Sequence, residues 1–152
     1  MGVGGAELRP AEGVLRGNAH HFPLRVYIED TDVAGVVYYA NYLKFMERAR
    51  SDLLARIGVD QRAALEAGEG VYVVADVSIR YKAPAKLADD LVVVTTVDAV
   101  RAATILIHQQ VRRGGEVLTE AKVTAAFLTP EGRPRRHPRE WVAKFERMEG
   151  EE

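Results

Sequence analysis

Residues 41–57, "NYLKFMERARSDLLARI", restrict the folds open to this chain more than any other segment. Tyr42, Met46, Ala49, Leu53 and Ile57 recur at intervals of three and four, which puts them on one face of a helix. Leu43, Phe45 and Leu54 widen that face into a stripe broad enough for a helix sunk in a core. Glu47, Arg48, Arg50, Asp52 and Arg56 fall to its rim, and Gly58 follows as a C-terminal stop. Something must cover this helix, and the chain offers no second helix of similar length.

What the chain does offer is strands. Phe22, Leu24, Val26 and Ile28 alternate with other residues and predict a first strand. Residues 71–82, 91–100, 103–113 and 116–129 are four further runs rich in β-branched and aromatic residues. Gly114-Gly115 marks a hairpin between the last two. A short helix, "QRAALEAG", follows Asp60 as its cap, and a second, 139–147, follows Pro138 with Trp141, Val142 and Phe145 on one side. Strand runs joined by tight turns argue for an antiparallel sheet over βαβ units. The fold class read from this order is α+β, an antiparallel sheet curled around the long helix. Long sheet edges invite pairing with another copy, so at least a dimer is expected.

The chain of 152 residues fits one domain. Residues 1–19 read as a flexible, Gly-rich tail, 20–147 as the folded domain and 148–152 as a C-terminal tail. With 21 basic and 22 acidic side chains, overall charge gives no case for a nucleic-acid or membrane-surface binder. The absence of cysteine removes disulfides and thiolate chemistry and is compatible with a reducing compartment. No apolar run approaches a membrane span and no signal-peptide pattern opens the chain, so the expected location is cytoplasmic.

The chemistry is expected just ahead of the long helix, in "YIEDTDVAGVVYYANY". Glu29, Asp30 and Asp32 lack the further oxygen ligands of a calcium loop, so no metal is expected. A single functional carboxylate is the alternative to a plain strand end with a helix cap. Asp32 is placed to face a cleft beside a helix N-terminus, whose unpaired N–H groups can polarise a carbonyl and hold an oxyanion. Gly35 permits close approach of a backbone or ligand. The four histidines show no metal-ligand spacing, and Ser51 and Ser78 lack a nucleophile-elbow context. No phosphate-binding Gly-rich loop follows a strand. Lys82, Lys86, Arg101, Arg112 and Arg113 lie at strand ends or connections. Singly they serve solubility; together they could hold the phosphates of a charged ligand.

The stretch "RVYIEDTDVAGVVYYANYLKFMERAR", Arg25 to Arg50, resembles the hotdog-fold acyl-CoA thioesterases of the 4-hydroxybenzoyl-CoA thioesterase family, in their YbgC-type (Tol–Pal-associated) branch. A looser match runs from Ile79 to Val97 through Tyr81, Pro84, Ala85, Asp89 and Leu91. The resemblance implies a helix wrapped by an antiparallel sheet, dimers that pair into homotetramers, and hydrolysis of an acyl-CoA, with an acyl carrier protein as an alternative carrier. No cofactor is implied, since coenzyme A is part of the substrate. It assigns the catalytic carboxylate to Asp32, as nucleophile or as general base. The N–H that polarises the thioester carbonyl falls to Tyr39, substrate contacts to Gly35, Tyr38 and Asn41, with Asn41 also ordering the turn, and phosphate contact to Arg101. Many members of this branch carry a histidine where Tyr39 stands. A backbone N–H survives that change, whereas a histidine-assisted step does not. Two other readings stay open, a hotdog dehydratase and a non-enzymatic acyl-CoA or acyl-carrier binding module.

Overall fold

The structure is a computed structural model that describes residues 7–149. Its centre is α1, Asn41–Arg56. Met46 and Ala49 are fully buried and Tyr42, Phe45 and Leu53 nearly so, as the three-and-four spacing predicts. Each large apolar side chain enclosed this way contributes about 1.5–3 kcal/mol. Leu43, expected on the same stripe, is 41% exposed. The buried face is therefore narrower at this end than the stripe read from the sequence.

The covering surface is a single six-stranded antiparallel sheet in the order β1-β2-β4-β5-β6-β3. The strands are β1 (Val14–Arg16), β2 (Ala19–Arg25), β3 (Val71–Tyr81), β4 (Asp90–Val100), β5 (Thr104–Arg113) and β6 (Glu116–Leu128). The helix packs on β2, β4 and β5. Ile105, Ile107, Gln109 and Val111 alternate inward along β5, and Ala121, Val123, Ala125 and Phe127 do so along β6. A period of two places alternate residues on one face, and that face meets α1. The short α2, Gln61–Glu66, is capped by Asp60, whose carboxylate accepts from the Ala63 N–H at 3.0 Å. The last helix, α3, Arg139–Glu146, follows Pro138 and buries Trp141 and Phe145.

Four expectations need correcting. The first strand stops at Arg25; Ile28 lies in a 3-10 turn, Ile28–Asp30, and is 77% exposed. The Asp30 carboxylate accepts the Tyr27 N–H at 2.8 Å and bends the chain where strand alternation continues on paper. The N-terminal tail is ordered well before residue 20, because β1 pairs with β2 through Val14, Leu15 and Arg16. The C-terminal boundary also moves: Met148 is buried, and the Glu149 carboxylate accepts the Val100 N–H at 3.1 Å. The ends of both expected tails, residues 1–6 and 150–152, lie outside the described residues. Finally, the α1 rim is less exposed than its charges suggest: Asp52 keeps 12% of its side-chain exposure and pairs with buried His20 at 2.7 Å.

Candidate active site

Three short segments meet at the start of α1. The loop 31–38 bridges back on itself at Thr31 and Val37 and pairs with the β3–β4 connection at Val36 and Lys86. The Val37 N–H donates to the Ala85 carbonyl at 2.9 Å, and the Leu87 N–H to the Gly35 carbonyl at 3.1 Å. These bonds hold the acidic loop against the connection that the Tyr81–Leu91 motif occupies. Gly35 sits at φ 82°, and an added Cβ there meets nothing within 4 Å. Its requirement is therefore conformational, a left-handed turn, and close approach within one chain plays no part.

The three acids separate cleanly. Glu29 is exposed. Asp30 is structural: its carboxylate holds the Tyr27 N–H, and its carbonyl accepts the Tyr38 N–H at 3.0 Å and the Asn41 side-chain amide at 2.9 Å. Asp32 is held by its own loop, Oδ1 accepting the Ala34 N–H at 2.9 Å and the Val36 N–H at 3.4 Å. Its other carboxylate oxygen makes no hydrogen bond among the described residues. The aspartate is exposed in the single chain, where the sequence predicts a partly dry cleft. Asn41 orders the turn as expected, and its amide is occupied in doing so.

The helix start has donors to spare. Its N-cap position is Ala40, which has no side chain to cap with. The N–H groups of Asn41, Tyr42 and Leu43 bond back to the carbonyls of Tyr38, Tyr39 and Ala40. The unpaired donors are thereby shifted one turn earlier, to Tyr39 and Ala40, whose N–H groups have no acceptor among the described residues. They carry the positive end of the helix dipole. Asp32 and this uncapped start flank the same short turn.

Aromatic rings frame the Tyr39 side. Tyr38 and Tyr39 lie 4.9 Å apart by ring centroid, and Tyr39 meets Tyr81 edge-on at 6.1 Å. The Tyr81 hydroxyl donates to the Tyr39 carbonyl at 3.1 Å and so fixes the peptide that precedes the helix. Burial and the neighbouring Tyr39 and Tyr42 raise the Tyr81 phenol above its ordinary pKa, which keeps it a donor. The buried Tyr42 hydroxyl accepts the Ala85 N–H at 2.9 Å. Tyr81 and Tyr42 were not among the expected site residues. Tyr81 had a signal in the Tyr-x-x-Pro-Ala match; Tyr42 looked only like core.

The expected basic set gathers here only in part: Lys86 pairs with the loop and Lys82 lies beside Tyr39 and Tyr81. Lys82 pairs with Glu120 at 3.0 Å, and Arg113 with Asp89 at 2.7 Å and Glu116 at 2.9 Å. Arg101 lies beyond the far end of β4, roughly 30 Å from the Asp32 loop within one chain at about 3.3 Å per residue. It sits at the β4–β5 turn, near the loop bearing Arg135, whose guanidinium donates to the Glu69 carbonyl at the approach to β3. No group of three His, Asp or Glu residues among those described is placed to hold a metal. No described helix is long and apolar enough to cross a membrane.

A second feature lies along the helix. A cavity of about 410 Å³ opens between α1 and the sheet. Leu54, Ile57, Val97, Ile107 and Phe145 give it apolar walls, and Glu47, Arg50, Ser51 and Tyr72 bring polar atoms to it. This volume is within the range of small-molecule sites, about 300–1,000 Å³. The helical spacing marked Arg50 as rim, and only the packing of β5 against α1 shows it to be half-buried.

Comparison with known proteins agrees with this architecture. Residues 26–145 match the thioesterase-like superfamily. The acyl-CoA thioesterase YbgC of Haemophilus influenzae is 41% identical over 132 residues, covering 86% of this chain and 97% of its own. The acyl-CoA thioester hydrolase YbgC of Escherichia coli O6:H1 is 38% identical over 126 residues, 82% of this chain and 93% of its own. Among solved structures, a probable thioesterase from Bartonella henselae aligns with a TM-score of 0.75 at 36% identity, covering 79% of this chain and 99% of that one. With its central helix, its six-stranded antiparallel sheet and this similarity along nearly the whole folded part, the chain belongs to the thioesterase-like superfamily and has the hotdog fold.

Proposed function

We infer that this protein is an acyl-CoA thioesterase, which cleaves an acyl-CoA with water to a carboxylate and free coenzyme A. The observation that carries the site assignment is the pairing of two groups that are unspent among the described residues: an Asp32 oxygen without a partner, and the Tyr39 N–H without an acceptor at an uncapped helix start. Asp32 attacks the thioester carbonyl carbon, or takes a proton from the water that does. The carbonyl oxygen becomes an oxyanion held by the Tyr39 N–H and the helix dipole. Where Asp32 is the nucleophile, the C–S bond breaks to leave an acyl–Asp32 mixed anhydride. Water hydrolyses it to free the carboxylate and the aspartate, the departing thiolate taking up a proton from that water. Where Asp32 is the general base, the C–S bond of the water adduct breaks and Asp32 returns the proton to the sulfur, so that coenzyme A leaves as a thiol. Glu29 and Asp30 take no part.

The site calls for a second copy. β3 ends the sheet, is 11 residues long and leaves Val73, Val74 and Val77 more than a third exposed. Such an edge is a template for pairing. Antiparallel pairing of two β3 strands about a two-fold axis sets the Val71 end of one against the Tyr81 end of the other. Tyr72, Val73 and Val74, which line the cavity, then lie beside the neighbour's Tyr39 and Asp32. The acyl group fills the cavity, and Arg101 with the Arg135 loop reaches the neighbour's substrate phosphates. Gly35 and Tyr38 shape the entrance. A homotetramer built from such dimers and a cytoplasmic location belong to the same proposal; the cysteine-free sequence is compatible with a reducing compartment.

The test is free-thiol release from a panel of short, long and aromatic acyl-CoAs and acyl-carrier-protein thioesters. Asp32→Asn should lower kcat/KM by about 10²–10⁴, the usual contribution of a positioned acid or base. Turnover close to wild type in that variant removes Asp32 from the chemistry. Tight binding without release from any thioester favours the binding-module reading.

A further inference from the structure

Arg50 is not needed for the chemistry proposed above, yet it is held in place with care. Its guanidinium donates to the Gln109 side-chain oxygen at 2.9 Å. Gln109 is fully buried, and its amide nitrogen donates to the Met46 carbonyl and to the Thr95 hydroxyl, both at 3.0 Å. The Gln109 side chain is thus fixed through both amide hydrogens and presents its oxygen to Arg50. A neutral amide orients the guanidinium without cancelling its charge. Among the described residues no carboxylate lies within ion-pair distance of Arg50. Arg113 and Arg56, by contrast, each face two carboxylates: Asp89 and Glu116 for the first, Glu12 and Asp52 for the second.

The guanidinium, with no carboxylate in contact and only Glu47 acting on it from the rim, opens on the apolar cavity beside α1. A charge in such surroundings is costly unless a counter-charge arrives. The Tyr72 hydroxyl at the cavity wall is already engaged: it lies 2.7 Å from His137 Nδ1, whose other ring nitrogen donates to the Thr104 carbonyl. Neither Asp32 nor Tyr39 lines the cavity, so the part of a substrate that fills it is not the thioester carbonyl. Glu47, one turn earlier on the helix, is exposed at the cavity rim and opposes an anion there.

We propose that Arg50 is a specificity-determining residue that binds a carboxylate on the acyl group, remote from the thioester, so that ω-carboxyacyl thioesters are the preferred substrate class. This rests on the thioesterase reading and on the cavity as the acyl site. The guanidinium offers a fork of donors that matches a carboxylate, and Gln109 uses only one of its arms. The aliphatic part of the acyl chain lies along the apolar walls.

The measurement is kcat/KM for thiol release from straight-chain acyl-CoAs and their ω-carboxy counterparts, matched at several chain lengths. The wild type should prefer the carboxylated member at one or more lengths. Arg50→Met should lower that preference ratio by about tenfold or more, because a site built around one hydrogen-bonding group discriminates strongly through it. Arg50→Gln, which keeps a donor for Gln109, should lose the preference too, so a folding defect in the methionine variant does not decide the matter. Glu47→Gln should raise the ratio by removing the opposing charge. A wild type that prefers the plain acyl chain at every length, or a ratio unmoved in both Arg50 variants, overturns the proposal. Hydrolysis of plain acyl-CoAs with no role for Arg50 leaves the thioesterase reading standing. Failure to hydrolyse any thioester overturns both.

Discussion

The two edges of the sheet are built in opposite ways. At one edge, β1 is three residues long, and a polar clasp ties it down. Asp52 on α1 accepts the Gly13 N–H at 2.8 Å and pairs with buried His20 on β2, while Arg56 reaches Glu12 at 3.3 Å. Short, clasped and charged, this edge terminates the sheet. At the other edge β3 runs 11 residues with valines exposed on it and lies next to the aromatic frame of the candidate active site through Tyr81. The contrast teaches where assembly and chemistry meet. The edge that is closed carries structure alone, and the edge that is open carries the proposed partner and half of the proposed substrate site.

Charging the open edge is the strongest way to break this contrast. Val77→Lys puts like charges near each other in an antiparallel β3 pair. Sedimentation should then show monomers, and kcat/KM should fall by about 100-fold or more, since small misplacements of a catalytic group already cost that much. Arg16→Glu, at the closed edge, should change neither quantity. Turnover that persists in a monomeric Val77→Lys protein places the whole site in one chain.

The closed edge has its own sensitive point. A Cβ on Gly13 would stand 2.6 Å from both His20 Nε2 and the His21 carbonyl and 2.8 Å from Asp52 Oδ2. Gly13→Ala should therefore cost about 1–3 kcal/mol by overpacking, read as a lower midpoint in chemical denaturation. Thiol release and oligomeric state should match the wild type. A change of oligomeric state in this variant would show that the two edges are coupled.

The smallest effect concerns acid stability beside the open edge. Hydrogen bonds from His108, Lys82 and Gln110 hold the Glu120 carboxyl down from 4.5 to about 2. A carboxyl whose folded pKa is depressed stabilises the fold above its unfolded value and loses that contribution as pH falls through the folded one. Glu120→Gln should flatten the decline of stability between about pH 4.5 and 2 relative to wild type, followed by denaturant midpoints across that range. An unchanged decline would assign it to other carboxyls, such as Asp89, held low by the Lys86 N–H and Arg113.

Periodic segments were the most legible. The α1 stripe, the strand runs and the Asp60 and Pro138 helix starts follow local rules of spacing and capping, and the structure places them within a few residues of expectation. Asp32, Tyr39 and Asn41 were legible as a turn ahead of a helix, and Asn41 does order that turn. The shortfalls share a cause. The strand reading ran on through Ile28 because alternation has no way to register the Asp30 carboxylate folding back on the Tyr27 N–H. β1 escaped notice because three residues are too few for a period, and its order comes from Asp52, 39 positions away from Gly13. The spacing puts Arg50 at the rim of the helix face and goes no further, because helical position says nothing about which strand lies opposite.

By itself the sequence determined that a broad apolar helix must be covered by an antiparallel sheet, and that an acid and a helix start share one turn. Those outcomes follow from short-range spacing and from the requirement to bury one helix face. Only the tertiary structure decided which donors at that turn stay unspent, which sheet edge stays open and that Arg50 faces a cavity with a neutral amide behind it. These depend on contacts between residues far apart in the chain, Tyr81 with Tyr39 and Gln109 with Arg50, and no local pattern encodes them.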